Sequence, residues 1–230
     1  MFEEVVVIDS FSSDDTIKIA SSFENVTLYQ RKFDNHLNQW NYGIEKSSKE
    51  WVFSSDADFV LPDELLKEID LQSKDLSKYD GFYIGFKYCM FGKPLTGNLL
   101  APQLRLFRKS KGQYIQDGHT QRINVTGNIG KLNNKIYHDD RKSLSRWFWS
   151  QERYADLECK KLKETKNLSL INKIRKFKFL APFLVFFYCL FIKGGILDGK
   201  AGLMYAYQRM YAELLLSLKL IEEDFNIKLN

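Results

Sequence analysis

The sequence predicts an α/β protein whose first part is a doubly wound sheet and whose last part is helical. Three observations support this fold class. Apolar runs, polar loops and amphipathic stretches alternate early in the chain, two of the apolar runs lead into aspartates, and helical spacing takes over after residue 141. We therefore expect an α/β domain over residues 1–140 and a helical region over residues 141–230.

The first predicted strand is EVVVID, a β-branched run over residues 4–9 that ends on Asp9. A polar loop and the amphipathic stretch TIKIASSF follow, which is typical of a strand–loop–helix unit. Further strands are predicted at residues 26–29 and 50–54, and helices at residues 38–46 and from Pro62 onwards. This alternation indicates parallel strands, so we expect the loops at Asp9 and Asp56 at one edge of one sheet.

The middle of the chain consists of strand-like runs joined by Gly, Lys and Pro turns. These runs cover residues 81–91, 102–109, 114–125 and 127–132. They are expected to add mixed or antiparallel strands to the sheet. From residue 142 apolar residues recur at helical spacing, and the stretch from Leu203 to Ile221 predicts a last amphipathic helix.

Charge is distributed unevenly along the chain. The net charge is +5, but residues 1–58 carry five basic against eleven acidic side chains, and residues 141–200 carry fourteen basic against five acidic. The acidic first part argues against a nucleic-acid partner, and the basic part favours an anionic membrane surface.

The three cysteines are widely spaced and the N-terminus resembles no signal peptide, so we expect a cytoplasmic protein without disulfides.

An apolar segment of fourteen residues, FLAPFLVFFYCLFI, covers residues 179–192. As a helix it would be ~21 Å long, too short for the ~30 Å hydrocarbon core of a bilayer. Basic residues flank it, so it is expected to lie in the membrane interface, with Phe183, Phe186 and Phe187 against lipid. The alternative is a helix buried in the protein core.

Candidate catalytic chemistry is concentrated in SSDADF, where Asp56 and Asp58 follow the strand WVF. Two carboxylates at i and i+2 on such a turn can hold one Mg²⁺ or Mn²⁺, or one can bind the cation while the other binds a ribose hydroxyl. A divalent cation there would neutralise a diphosphate leaving group. An ordinary solvated acidic turn is the alternative.

Together, VVVIDSFSSDDT, NQWNYGIEKSSKEWVFSSDADF and LRLFRK resemble the family 2 glycosyltransferases over about residues 4–140. The resemblance implies an inverting enzyme of the Rossmann-like GT-A fold that uses a nucleotide sugar, in many members a UDP-sugar. It implies that Asp9 contacts the uracil base, that Asp56 faces the ribose or diphosphate, and that Asp58 binds Mn²⁺ or Mg²⁺. The nucleotide-sugar-binding residues expected on this basis are Asp9, Ser10, Asn41, Asp56 and Arg105.

Two departures from the family pattern concern the first strand and the catalytic base. The strand of the type V-I-P-x-Y-N-E, with its helix, does not precede Val5 in this sequence, so we expect a sheet without its usual first strand. The related branch often has His-Glu where this chain has Thr120 and Gln121. Asp117 is therefore the expected base and His119 the second choice. His138, Asp139 and Asp140 are weaker candidates, for which an ordinary surface strand end is the favoured interpretation.

The segment from residue 193 to 219 resembles bacterial enzymes of lipopolysaccharide-core and surface-polysaccharide assembly, which work at the cytoplasmic face of the inner membrane. We expect transfer of a sugar, from a UDP-linked donor, to a lipid-linked or lipopolysaccharide-type acceptor by a peripheral membrane protein. Arg105 and Arg108, expected on one face of their strand, could hold diphosphate or an acidic acceptor. An ordinary half-buried strand with a solvent-facing Arg pair fits the same pattern equally well. The alternatives are a sugar nucleotidyltransferase, which would want a Gly-rich phosphate loop, and an inactive membrane-associated scaffold.

Overall fold

The computed structural model describes residues 2–73, 78–117, 120–165 and 167–229, with the backbone alone at residues 73, 117, 120 and 226–229. The strands are β1 (Val5–Asp9), β2 (Val26–Gln30), β3 (Trp51–Phe53), β4 (Phe59–Val60), β5 (Gly81–Met90), β6 (Lys93–Pro94), β7 (Gln103–Arg108), β8 (Gly112–Asp117), β9 (Thr120–Val125) and β10 (Ile129–His138). The α-helices are α1 (Thr16–Ala20), α2 (His36–Lys46), α3 (Asp63–Ser73), α4 (Leu144–Glu164), α5 (Leu170–Lys176), α6 (Leu180–Phe187) and α7 (Gly199–Leu229).

The described strands form three sheets, with both parallel and antiparallel pairs, and the expected mixed or antiparallel additions are present. β1 and β2 pair in parallel as a two-stranded sheet, and β8 and β9 form an antiparallel pair. The larger sheet has the strand order β3-β7-β5-β10-β4, with β6 paired to β5, and β3 pairs antiparallel with β7. The prediction that β1 and β3 are parallel strands of one sheet is therefore wrong, because β3 takes its partner from a strand about 50 residues later.

The chain divides into two compact units. The first comprises Met1–Ala57, Leu61–Gly85 and Pro102–Ile136, and the second comprises Asp58–Val60, Phe86–Ala101 and Tyr137–Asn230. The units differ in outline from the predicted domains 1–140 and 141–230 because β5 and β10 each contribute residues to both units. The functional division into a catalytic and a helical domain stays a prediction.

The core of the first unit is built around β7. Leu104, Phe107, Tyr114 and Ile123 are buried there, and the apolar face of α2 packs against them. Leu37, Trp40 and Ile44 form that face at the three-to-four spacing of an amphipathic helix. The helix begins at Asn35, whose side chain accepts a hydrogen bond from the backbone N–H of Asn38 at 2.9 Å. This packing fixes Trp40 beside β8 of the candidate site.

The second unit is mainly helical, and its described residues include two apolar clusters. Residues from α4 and α7 form one of them: Cys159, Leu162, Leu216 and Leu220. The other joins the end of β5 to α7 and contains Met90, Leu95, Cys189, Tyr205 and Ala206. Arg175 of α5 adds a partly buried ion-pair cluster, bonding Glu158 at 2.7 Å and Glu213 at 2.9 Å.

The apolar segment 179–192 forms α6 and a following π-helical turn, Tyr188–Ile192. It is neither wholly buried nor wholly exposed, since Ala181, Pro182 and Cys189 are buried while Phe183 and Phe187 are exposed. The prediction that Phe186 also faces outwards is wrong, because its ring packs against the second apolar cluster.

No single helix that the structure describes is long and apolar enough to cross a membrane. The stretches Leu180–Ile192 and Gly195–Phe225, which meet at 71°, satisfy the length and composition criteria only as a bent pair.

Candidate functional site

The first candidate group, Arg105 and Asp56, forms at the end of β3, where the register with β7 brings these two residues together. Trp51 is opposite Arg108 and Phe53 is opposite Leu106, and the pairing continues with a 2.7 Å hydrogen bond from Ser54 N–H to the carbonyl of Arg105. This register brings the side chain of Arg105 to the turn that follows β3. The guanidinium of Arg105 donates to a carboxylate oxygen of Asp56 at 3.1 Å.

Arg105 is a nearly buried cation, with 9% of the residue exposed. It also donates to the side-chain oxygen of Gln103 at 2.6 Å, and its guanidinium lies 5.6 Å from the ring centroid of Trp40. Burial of a charge is tolerated only where such partners replace water. Arg105, Asp56 and Trp40 line a cavity of about 340 Å³, together with Tyr83, Tyr114, Gln121 and Arg122 among others.

Tyr114 fixes the wall of this cavity. Its ring stacks on Trp40 with centroids 5.3 Å apart, and its hydroxyl shares a 2.6 Å hydrogen bond with that of Ser54. Burial raises the pKa of Tyr114, so the phenol stays neutral. The amide of Asn41 bonds the backbone of Tyr114 twice, at 2.9 and 3.0 Å. Asn41 therefore positions the cavity wall, and its expected contact with the donor stays a prediction.

The second candidate group is formed by Asp58, His138 and Asp140, whose ligand atoms all lie within 4.8 Å of one another. The antiparallel register of β4 with β10 produces it, since Phe59 is opposite His138 and the N–H of Asp139 donates to the carbonyl of Asp58 at 2.9 Å. His138 Nε2 lies 3.1 Å from Oδ2 of Asp58. Two carboxylates and one imidazole form a donor set that suits Mn²⁺ and accommodates Mg²⁺.

One atom of Asp58 is left without a protein partner. Its Oδ1 is buried and accepts no hydrogen bond from any residue that the structure describes. A buried acceptor without a partner is costly, and a cation bound there would satisfy it. The hydrogen bond from His138 lowers the pKa of Asp58, which keeps the carboxylate charged and ready to bind metal. The residues present thus fit a divalent cation.

Aromatic rings surround the imidazole of His138. The rings of Phe59 and Tyr88 meet it edge to face, with centroids 5.3 and 5.4 Å away. Burial raises the pKa of Tyr88 to about 12, so this phenol is a neutral hydrogen-bonding group at physiological pH. The rings restrict the orientation of the imidazole and so fix the direction in which its Nε2 points.

The remaining predicted donor-binding residues lie at the end of β1. Asp9 is 5% exposed, and its carboxylate accepts hydrogen bonds from the hydroxyl and backbone N–H of Ser12 and from Gln30. The Ser12 hydroxyl is the main reason that the pKa of Asp9 is lowered. Ser10 is exposed and accepts a hydrogen bond from Gln39 at 3.2 Å. The charged Asp9 is held firmly, and its predicted contact with the uracil base stays a prediction.

The two predicted general-base residues fall at the margin of what is described. The backbone of Asp117 ends β8, where it is opposite Thr120 of β9. His119 lies outside the described residues. The catalytic roles of both residues stay predictions.

The expectation that Arg105 and Arg108 share one face of their strand is wrong. Side chains alternate between the faces of a strand, so residues three apart point to opposite sides. Accordingly, Arg105 bonds Asp56, whereas Arg108 pairs with Glu50 and lies 4.9 Å from the ring centroid of Trp51.

Sequence reasoning gave no metal-binding or cavity role to three of the residues that the structure brings into these groups. His138 and Asp140 are only weaker candidates for the base, with a surface strand end favoured, yet they lie beside Asp58, eighty and eighty-two residues away along the chain. The signal available was a His-x-Asp pattern at the end of a strand, which is weak by itself. Trp40 was placed on a helix without a role and forms a wall of the cavity.

Residues 1–131 match the sequence profile of Glycosyl transferase family 2. This match covers more than half of the 230 residues. The chain belongs to this family. Family 2 membership and the mixed α/β fold confirm the corresponding parts of the sequence prediction.

Relatives of this family 2 chain include SunS, the SPbeta prophage-derived glycosyltransferase of Bacillus subtilis (strain 168), which is 27% identical over 147 residues. That alignment covers 60% of this chain and 33% of SunS, so the chain spans about a third of that relative. The uncharacterized glycosyltransferase RP128 of Rickettsia prowazekii (strain Madrid E) is 25% identical over 225 residues, covering 90% of this chain and 75% of RP128.

Two solved structures are also similar to this chain. S. aureus TarS 1-349 in complex with UDP-GlcNAc has 16% identity and a TM-score of 0.42, covering 98% of this chain and 83% of that one. The mannosyltransferase PcManGT from Pyrobaculum calidifontis, in complex with GDP-Man and Mn²⁺, has 13% identity and a TM-score of 0.49. The second comparison covers 95% of this chain and 77% of PcManGT.

Proposed function

We propose that this family 2 chain is an inverting glycosyltransferase that moves a sugar from a UDP-linked donor to a lipid-linked or lipopolysaccharide-type acceptor. The observation that carries the proposal is the group of Asp58, His138 and Asp140, in which one buried carboxylate oxygen has no hydrogen-bond partner among the described residues. A divalent cation held there supplies charge neutralisation for a nucleoside diphosphate as it leaves. Family membership supplies the reaction class.

The two carboxylates of the D-x-D turn have different tasks in this proposal. Asp58 holds the cation, whereas Asp56, already paired with Arg105, faces the ribose or diphosphate of the donor. Arg105 is suited to a phosphate because its guanidinium is always charged and is held by Gln103 and Asp56. Asp9 contacts the uracil base, and Ser10, the next residue in the chain, and Asn41 on α2 complete the donor-binding set.

The transfer step needs one group to accept a proton. The acceptor hydroxyl oxygen attacks the anomeric carbon from the face opposite the diphosphate, the bond from that carbon to the diphosphate oxygen breaks, and the hydroxyl proton passes to a carboxylate. We assign this base to Asp117, with His119 as the second choice. Cleavage of the bond leaves UDP as the other product.

The acceptor and the location belong to the same proposal. Residues 141–200 carry fourteen basic and five acidic side chains, and such a segment is attracted to the anionic lipids of the cytoplasmic leaflet. An acceptor carried on a lipid would be available at that surface. We therefore place the protein at the inner face of the cell membrane.

The test is release of UDP from a panel of UDP-sugars with Mn²⁺, with the glycan product identified by mass spectrometry. We expect release that EDTA abolishes and that added Mn²⁺ restores. Donor binding in calorimetry without any UDP release, on every donor and acceptor fraction tried, would favour the inactive scaffold. Release of pyrophosphate from UTP and a sugar phosphate would favour the nucleotidyltransferase.

A further inference from the structure

The apolar segment 179–192 presents two parallel rows of exposed side chains. Residues four apart on a helix lie on the same side, and here both rows consist of large apolar groups. Each of these side chains is between 41% and 74% exposed: Phe179, Phe183, Phe187 and Phe191 in one row, and Leu180, Leu184, Tyr188 and Ile192 in the other. We call these eight residues the apolar rows.

The opposite side of the same segment is fixed to the protein. Ala181 and Cys189 are buried, and Val185, Phe186 and Leu190 pack against the cluster around Tyr205. The apolar rows are therefore not the side of the segment that packs against the protein. They lie on the opposite side and remain exposed although the packed side already has its contacts.

The chain also exposes large apolar side chains just before and just after this segment. Leu170 and Ile171 on α5 are 75% and 69% exposed, and Ile196 and Leu197 after the π-helical turn are 55% and 78% exposed. Exposed apolar residues on this scale exceed the scattered single residues of an ordinary soluble surface. Such a surface indicates an interaction site.

The charges beside the apolar rows indicate the partner. Residues 170–200 contain six basic side chains and a single acidic one, Asp198, which accepts hydrogen bonds from Thr96 at 2.7 to 3.0 Å. Arg175 and Lys178 pair with carboxylates of α4 and α7. Lys173, Lys176 and Lys200 are exposed and flank the segment in sequence, so their charges face solvent.

We propose that the apolar rows insert into the interface of an anionic lipid bilayer, with α6 parallel to the membrane plane. Exposed aromatic and aliphatic side chains bury themselves at the acyl boundary, and flanking lysines reach the lipid phosphates. A second copy of the chain is a poorer occupant, because two surfaces of the same positive charge would face each other across a desolvated interface. This inference rests on the membrane location proposed above and not on the sugar-transfer chemistry, since vesicle binding needs no donor.

The experiment is flotation of the purified full chain with vesicles of phosphatidylcholine alone or of an equimolar mixture with phosphatidylglycerol. We expect binding to the anionic vesicles and weak binding to the neutral ones. Phe183→Ser with Phe187→Ser should lower the partition coefficient roughly 100-fold, because two apolar side chains are lost from the interface. Lys173→Gln with Lys176→Gln should lower it roughly fivefold per charge at about 0.1 M salt and have little effect at about 1 M salt.

A matched control replaces exposed apolar residues elsewhere. Phe23 and Leu71 are 58% and 64% exposed, so Phe23→Ser with Leu71→Ser removes similar side chains and should leave vesicle binding unchanged. Thermal melts of all variants should agree within a few degrees, since the substituted side chains do not pack in a core. Equal losses in the control and the Phe183/Phe187 pair, or no binding of the native chain to anionic vesicles, would overturn the proposal. So would a dimer in light scattering that the Phe183/Phe187 substitutions dissociate, because a second copy would then be the occupant.

Discussion

Replacement of Asp58 by Asn tests the metal assignment most directly. Asn keeps the shape of the side chain and an oxygen that can accept a hydrogen bond from His138, so the fold should persist. What is lost is one of the two negative charges among the three ligand groups. Outer-shell changes alone cost about 10- to 100-fold in metal affinity, so losing a charged ligand should cost at least about 100-fold, or about 2.7 kcal/mol.

The loss of Mn²⁺ affinity in Asp58→Asn is limited by the short distance between the two carboxylates of the group. The ligand atoms of Asp58 and Asp140 lie within 4.8 Å, so removing one charge also relieves the repulsion between the two carboxylates. The net change is therefore smaller than the direct attraction between Asp58 and the cation. Mn²⁺ titration followed by electron paramagnetic resonance, with and without UDP, measures it.

Asp139→Asn is the matched control because it makes the same chemical change between two members of the cluster. The carboxylate of Asp139 pairs with Arg141 at 2.7 Å, and its backbone N–H remains available to Asp58. Mn²⁺ affinity should stay within about threefold of the native value in this variant. Native Mn²⁺ affinity in Asp58→Asn, or an equal loss in Asp139→Asn, would refute the reasoning.

Four further predictions follow from the site and the fold. Asp117→Asn should leave donor binding intact and lower turnover by about 10² to 10⁴, and full activity would move the base to another residue. Arg105→Lys should raise KM for the donor about tenfold with little change in kcat, because the planar contacts of the guanidinium are lost; steady-state kinetics measures this. Arg175→Met should lower the free energy of unfolding by about 3 kcal/mol in urea titrations, since the carboxyl group of Glu213, 8% exposed, would lose the guanidinium with which it pairs. The pKa of Asp58 is lower in the folded protein than in the unfolded chain, so its charged carboxylate contributes stability above about pH 4. This contribution is lost as the pH falls through the folded-state pKa. Metal-free native protein and Asp58→Asn should therefore converge in their free energies of unfolding in acid.

Local patterns predicted most of the secondary structure. The run EVVVID became β1 at Val5–Asp9, the helix expected from Pro62 became α3 at Asp63–Ser73, and helical spacing after residue 142 became α4 at Leu144–Glu164. These elements depend on short-range signals, namely apolar periodicity and capping residues such as Ser143, whose side chain caps α4. Such signals lie within a few residues of the element they specify.

Strand pairing and the metal group could not be predicted in the same way. The partner of β3 is β7, and no local property of WVF selects a strand about 50 residues later over β1. The ligands His138 and Asp140 likewise depend on the register between β4 and β10. Long-range pairing is decided by packing across the whole sheet, which a single sequence does not display.

The two-residue strand β4 determines whether the metal ligands meet at all. A slip of one residue in its pairing with β10 would turn His138 to the opposite face of the strand and away from Asp58. Phe59 opposes this slip, because its ring lies 5.3 Å from the imidazole of His138 and 5.2 Å from the ring of Phe86 on β5. A two-residue ladder is too short to fix its own register, so the aromatic contacts must do so. Phe59 has no ligand atom, yet it positions the imidazole against the carboxylate that would bind the cation.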